Sequence, residues 1–122
     1  MNIGIDIDGT LTKYPEFFVE LGKLFRAAGH KVCLITGLGS DGLDKRWEKW
    51  EHILDQDFYD DVFTTELYNL EEISLIGKEE DNEKIVGRFK QRMCKELDID
   101  IMFDDKATIH REFGEVPIFE VE

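Results

Sequence analysis

The chain reads as an α/β protein built on one mainly parallel, five-stranded sheet, and three observations predict this. Apolar runs of strand length recur at residues 2–7, 31–36, 61–65, 99–104 and 116–121. Segments with helical periodicity separate the first four of them, which is the alternation that parallel sheets require for their crossovers. With 122 residues, 42% of them apolar, there is material for one core and too little for a separate substrate domain. The expectation is a single domain spanning 1–122, without a cap domain.

Each element has its own local cause. The first strand, Asn2 to Ile7, carries Ile3, Gly4 and Ile5 before two aspartates, Asp6 and Asp8, one residue apart. The first helix, near Pro15 to Ala28, has proline in its opening turn, aligns Phe18, Leu21 and Phe25, and stops at Gly29. The second helix, near Asp41 to Leu54, aligns Leu43, Trp47, Trp50 and Leu54. That spacing assigns both tryptophans to core packing. Residues 67–81 are acidic with one short apolar piece, Ile73 to Ile76, and read as a loop or an extra edge strand. A helix follows from about Asn82 to Leu97, then a short one around Lys106 to Phe113.

Charge and composition exclude several classes. A formal charge of −13, from 28 acidic and 15 basic residues, opposes attraction to nucleic acid and to anionic membranes. No apolar run approaches the roughly 20 residues needed to span a bilayer, and Met1-Asn2 leads straight into a strand, so the expected location is cytoplasmic. Cys33 and Cys94 fall in core-type segments with no Cys-x-x-Cys pair and read as reduced core residues. His30, His52 and His110 lack the spacing of metal ligands.

The chemistry gathers where strands end. In open parallel sheets, ligands bind beyond the carboxyl ends of the strands. There the sequence places Asp6 and Asp8, then Thr36-Gly37, then Asp104-Asp105. Gly9 permits a sharp turn after Asp8, so that the two early carboxylates can share a divalent cation. Taken alone, Asp-x-Asp-Gly also suits an ordinary turn. Thr36-Gly37 offers a hydroxyl and exposed N–H groups to a phosphate oxygen, or simply ends a strand. Farther along the chain, the helix over 82–97 has the apolar stripe Val86, Phe89, Met93 and Leu97. Lys90 lies within that stripe, while Lys84 falls with Arg88, Gln91 and Lys95 on the face expected to be wet. Lys90 either snorkels to water or pairs with Asp6 and Asp104. Lys84, nearer the helix start, is its rival.

Read in order, Asp6-Ile-Asp8-Gly-Thr10-Leu-Thr12, an apolar run ending in Thr36-Gly37, a helical lysine, and Phe103-Asp104-Asp105 resemble the four motifs of the haloacid dehalogenase superfamily of phosphatases, in a capless form. The resemblance covers nearly the whole chain. It implies a three-layer α/β/α Rossmannoid sandwich with strand order 5-4-1-2-3, Mg²⁺ dependence and an aspartyl-phosphate intermediate. By that resemblance Asp6 is the nucleophile. Asp8 protonates the leaving oxygen and then activates water, which needs a pKa raised by the nearby Asp6 charge. Mg²⁺ is held by the Asp6 side chain, the Asp8 carbonyl and Asp104, with Asp105 beside it. Thr36, Gly37 and Lys90 bind the phosphate of a small phosphorylated substrate, such as a nucleotide or sugar phosphate.

Two departures stand out. Phe103 occupies a place where many members carry Gly-Asp, which leaves open whether Asp104 or Asp105 is the main ligand. The gaps at 11–15 and 67–81 are too short for a folded lid, so an open site must exclude water by oligomerisation or by the substrate itself. Two other readings use the same residue types: a phosphoacceptor module of the response-receiver kind, and a non-catalytic relative that binds metal and phosphate. Receivers carry the acidic pair after the first strand and the acceptor aspartate after the third, the reverse of the arrangement here.

Overall fold

Five parallel strands form one sheet in the order β3-β2-β1-β4-β5, seen in a computed structural model that describes residues 1–37, 40–64, 82–106 and 116–122, with only the backbone described at 40, 41 and 82–85. The strands are β1 (Asn2–Ile5), β2 (Lys31–Ile35), β3 (Asp61–Phe63), β4 (Ile101–Asp104) and β5 (Ile118–Glu120). Helices α1 (Pro15–Ala27), α2 (Ser40–Leu54) and α3 (Asn82–Glu96) accompany them. The expected α/β class and the parallel sheet are both present, and read from its other edge the order is 5-4-1-2-3. The 67–81 stretch, the body of the short helix expected over 106–113, and His110 lie outside the described residues.

Alternation along the strands sorts side chains between two cores. Ile3 and Ile5 of β1 with Val32 and Leu34 of β2 join Phe18 and Val19 of α1 and Ile53 and Leu54 of α2. Trp47 and Trp50 pack against this cluster, as their spacing predicted. Cys33 and Ile35 point the other way and meet Met102 of β4 with Phe89, Met93 and Cys94 of α3. Gly4 also belongs to this second face: a Cβ there would lie 2.6 Å from the Met102 sulfur. The helices therefore cover both faces, α1 and α2 on one and α3 on the other.

One helical face is wider than the sequence indicated. Gln91, expected on the wet side of α3, is buried, and neither of its amide atoms has a hydrogen-bond partner among the described residues. Phe89, Lys90, Gln91, Met93 and Cys94 are all buried, an arc of roughly 200° at 100° per residue. A stripe drawn through the apolar residues alone covers only part of it. No helix among the described residues is long and apolar enough to cross a membrane.

Both cysteines are free and buried. Burial pushes the Cys33 thiol up to about 11 and the Cys94 thiol up to about 12. Because the folded state prefers the neutral thiol, this contribution is complete below the ordinary value of 9.0 and is lost as the pH climbs through about 11 to 12. Native protein at pH 8 should therefore leave both thiols unmodified by a thiol-specific chromogenic disulfide, whereas urea-unfolded protein should titrate two. Stability to urea should fall between pH 9 and 11.

Candidate active site

The carboxyl edge of the sheet is organised by the register of β1 against its neighbours. Ile5 pairs with Leu34 on one side and with Phe103 on the other. One residue further on, Asp6 stands level with Asp104, and its N–H donates to the Phe103 carbonyl at 2.9 Å. Both aspartates follow the even-numbered alternation of Gly4 and Met102, so both side chains turn toward the face covered by α3. This is why a lysine from that helix can reach them.

Lys90 does so. Its Nζ donates to Asp6 Oδ1 at 2.6 Å and to Asp104 Oδ2 at 2.7 Å, with all three side chains almost wholly removed from solvent. The sequence-derived alternative of a lysine reaching water does not describe this geometry. The Lys84 side chain lies outside the described residues.

Asp8 takes a different course. Strand β1 ends at Ile5, and residues 7–10 form a type II turn with Asp8 at φ −70°, ψ 124° and Gly9 at φ 80°, ψ −6°. The third position of that turn needs a positive φ, which glycine supplies without strain. A side chain there would also collide with Asp105, whose Oδ2 would sit 2.5 Å from a Cβ. The turn breaks the alternation after Asp6, and Asp8 emerges half-exposed at the rim. There its Oδ1 accepts a 2.8 Å bond from Arg46 Nε of α2.

The two acids after β4 also separate. Asp104 is fully buried. Besides its bond to Lys90, its Oδ1 accepts the Lys106 N–H at 3.0 Å, which closes the turn after the strand. Asp105 is partly exposed and lies against Gly9. Carboxylate oxygens of Asp6, Asp104 and Asp105 all lie within 4.8 Å of one another. Three carboxylates at that separation form an oxygen donor set of the kind that hard divalent cations take. The Asp8 carboxylate is not one of the three.

These residues surround a cleft of about 310 Å³, lined by Asp6, Asp8, Thr36, Gly37, Lys90 and Asp105, with Gly9, Val86 and Lys106 completing its wall. Asp104 stands behind the lining. Thr36 is buried and tied to β3 through its N–H, which donates to the Phe63 carbonyl at 3.0 Å. Gly37 lets α3 approach: a Cβ there would lie 2.5 Å from a Val86 methyl. Thr10, also buried, donates from its hydroxyl to Asp6 Oδ2 at 3.3 Å. Arg46, Lys106 and Thr10 were not singled out in the sequence. Thr10 alone carried a local signal, as part of the run following Asp6.

One ammonium cannot offset three neighbouring carboxylates in a buried setting. Burial above all pushes Asp6 up to about 8. Lys90 opposes that shift, and Asp104 and Asp105 reinforce it. Asp105 is raised by burial and by its neighbour Asp104. Burial pulls Lys90 down most, but the attractions of Asp6 and Asp104 together outweigh it and its pKa ends above the ordinary value.

No family model, curated protein or solved structure matches the chain. The site therefore stands on its own geometry, in which six of the seven residues proposed from the sequence share one cleft and the seventh is bonded to it through Lys90.

Replacing Lys90 with methionine leaves buried carboxylates without their cation and should cost about 3–5 kcal/mol of stability at neutral pH. Adding Asp104→Asn to Lys90→Met should recover part of that loss in urea unfolding. In wild type without metal, the raised Asp6 pKa makes its contribution to stability complete below the ordinary 3.8 and lost as the pH rises through about 8. Melting in EDTA should accordingly fall across that window.

Proposed function

We propose that the chain is a Mg²⁺-dependent phosphomonoester phosphohydrolase that works through an aspartyl-phosphate on Asp6. The observation that carries this reading is the buried Lys90 ammonium bonded to both Asp6 and Asp104 in a group of three mutually close carboxylates. The order of motifs shared with haloacid dehalogenase phosphatases, and the three-layer sandwich that the likeness implies, support it.

The donor set fits a hard divalent ion, since carboxylate oxygens are the ligands that Mg²⁺ takes. Asp6, Asp105 and Asp104 would hold it, with the Asp8 carbonyl the further donor that the family likeness implies. Of the last two carboxylates, Asp105 is the one facing the cleft, while both Asp104 oxygens already accept bonds from within the protein. When bound, the ion supplies positive charge against the phosphoryl oxygens.

The remaining steps belong to the chain itself. Thr36, Gly37 and Lys90 bind the phosphate, and the Lys90 charge offsets the repulsion between Asp6 and an anionic substrate. An Asp6 oxygen forms the bond to phosphorus as the bond to the leaving oxygen breaks, and Asp8 gives that oxygen its proton. Asp8 then takes a proton from water, which attacks phosphorus, and the break of the bond to Asp6 releases phosphate. Position favours this division of labour: Asp6 is held deep by Lys90 and Thr10, and Asp8 sits at the rim where a leaving group departs. The charge of −13 points to a small phosphorylated metabolite, with nucleic acid disfavoured.

Hydrolysis of p-nitrophenyl phosphate should require Mg²⁺, stop with EDTA, and fall by about 10³-fold or more in Asp6→Asn. Full turnover by that variant would refute the reading. A long-lived acyl phosphate without turnover would mark a phosphoacceptor instead. Because a proton on Asp6, with its pKa near 8, competes with the ion, Mg²⁺ should raise the melting temperature more at pH 8 than at pH 5.5.

A further inference from the structure

Arg46 stands just outside the lining of the cleft, bonded to the cleft residue Asp8, and the phosphatase reading leaves it unused. It projects from α2, the helix that follows Thr36-Gly37, and bonds Asp8 through Nε at 2.8 Å. Both side chains are 42% exposed, so the pair adds little to stability. One nitrogen of the guanidinium is engaged. Among the described residues, no bond is formed by its two Nη amino groups. A guanidinium presents paired N–H groups that match a carboxylate or a phosphate with two parallel bonds.

Its position determines which part of a substrate it would meet. The phosphoryl end is served at the floor of the cleft by Lys90 and Thr36. Asp8, in the role proposed above, touches the oxygen of the leaving group. A cation anchored on Asp8 therefore stands beside the alcohol portion of the ester. An anionic alcohol portion would otherwise meet the carboxylate of Asp8 and a chain of net charge −13, both repulsive. Arg46 offsets the Asp8 charge there and offers a cation to such a group.

We propose that Arg46 reads a second oxyanion on the leaving-group side, so that the substrate class is a phosphate monoester of an acidic alcohol, carrying a carboxylate or a second phosphate close to the ester. The inference rests on the phosphatase reading and deepens it by naming what that site selects.

Three esters of one three-carbon skeleton test it: glycerol 3-phosphate, 3-phosphoglycerate, and propane-1,3-diol bisphosphate. Wild type should prefer one or both of the esters that carry a second anionic group over glycerol 3-phosphate by about 10-fold or more in kcat/KM, and the preferred one identifies the oxyanion. In Arg46→Met that ratio should collapse to within about 3-fold, with partial recovery in Arg46→Lys, which restores charge without the planar fork. Loss of the bond to Asp8 slows all three esters alike, so the ratio cancels it. Lys106, which lines the cleft, is the control: collapse of the ratio in Lys106→Met but not in Arg46→Met overturns the assignment. Hydrolysis of the esters without preference, or with a preference that survives Arg46→Met, overturns this inference alone. Hydrolysis of none of the esters, nor of p-nitrophenyl phosphate, overturns the phosphatase reading and this inference with it.

Discussion

A single buried ammonium holds the functional edge of this protein together. Lys90 sits between Asp6 and Asp104 at 2.6 and 2.7 Å, and it ties the first strand, the fourth strand and the helix between them into one polar knot inside an apolar layer. Buried carboxylates are tolerated only when paired and hydrogen-bonded. The constraint runs in both directions: α3 must cover the sheet face onto which Asp6 and Asp104 turn, and those aspartates must stand level. The parallel register of β1 and β4 meets the second condition. Packing of Phe89, Met93 and Cys94 against Met102 and Ile35 meets the first.

Around that knot the site divides into a dry floor and a wet rim. Thr36 belongs to the floor, with Thr10 and Asp104 buried behind it. Asp8 and Lys106 belong to the rim, and Arg46 bonds Asp8 from outside the lining; solvent reaches all three. The partition follows from the backbone: alternation holds as far as Asp6, and the type II turn at Asp8-Gly9 then lifts the chain out of the sheet. A residue pair only two apart in sequence thereby acquires two environments, which is how one motif can provide both a shielded carboxylate and an accessible one.

Much of this was legible in the sequence because it is periodic. Strand-length apolar runs and helical stripes give the α/β class, the parallel sheet and the helix faces, and Lys90 stood out as the polar residue inside a stripe. Boundaries were less legible. The first strand stops at Ile5 rather than Ile7, since backbone dihedrals at the turn outweigh the apolar character of Ile7. Gln91 was misplaced because burial of α3 extends past its apolar residues, and a polar residue on that flank gives no periodic signal. Arg46 was invisible for a related reason: exposed ion pairs between distant residues depend on where α2 points, which spacing alone does not encode. The different environments of Asp104 and Asp105 emerge only from the burial and bonds of the first and the partial exposure of the second.

The placement of β1 at the centre of the sheet has a consequence for how the protein wears out. This strand is laddered on both sides, to β2 and to β4, and the Asp6 amide extends the second ladder by one rung. Such central strands are the last to open in native-state fluctuations, while strands paired on one side only, as β3 and β5 are among the described residues, fray first. Asp6 thus follows directly on a strand paired on both sides. Thermal breathing at the periphery would leave its alignment intact, and loss of that alignment would coincide with cooperative collapse of the sheet.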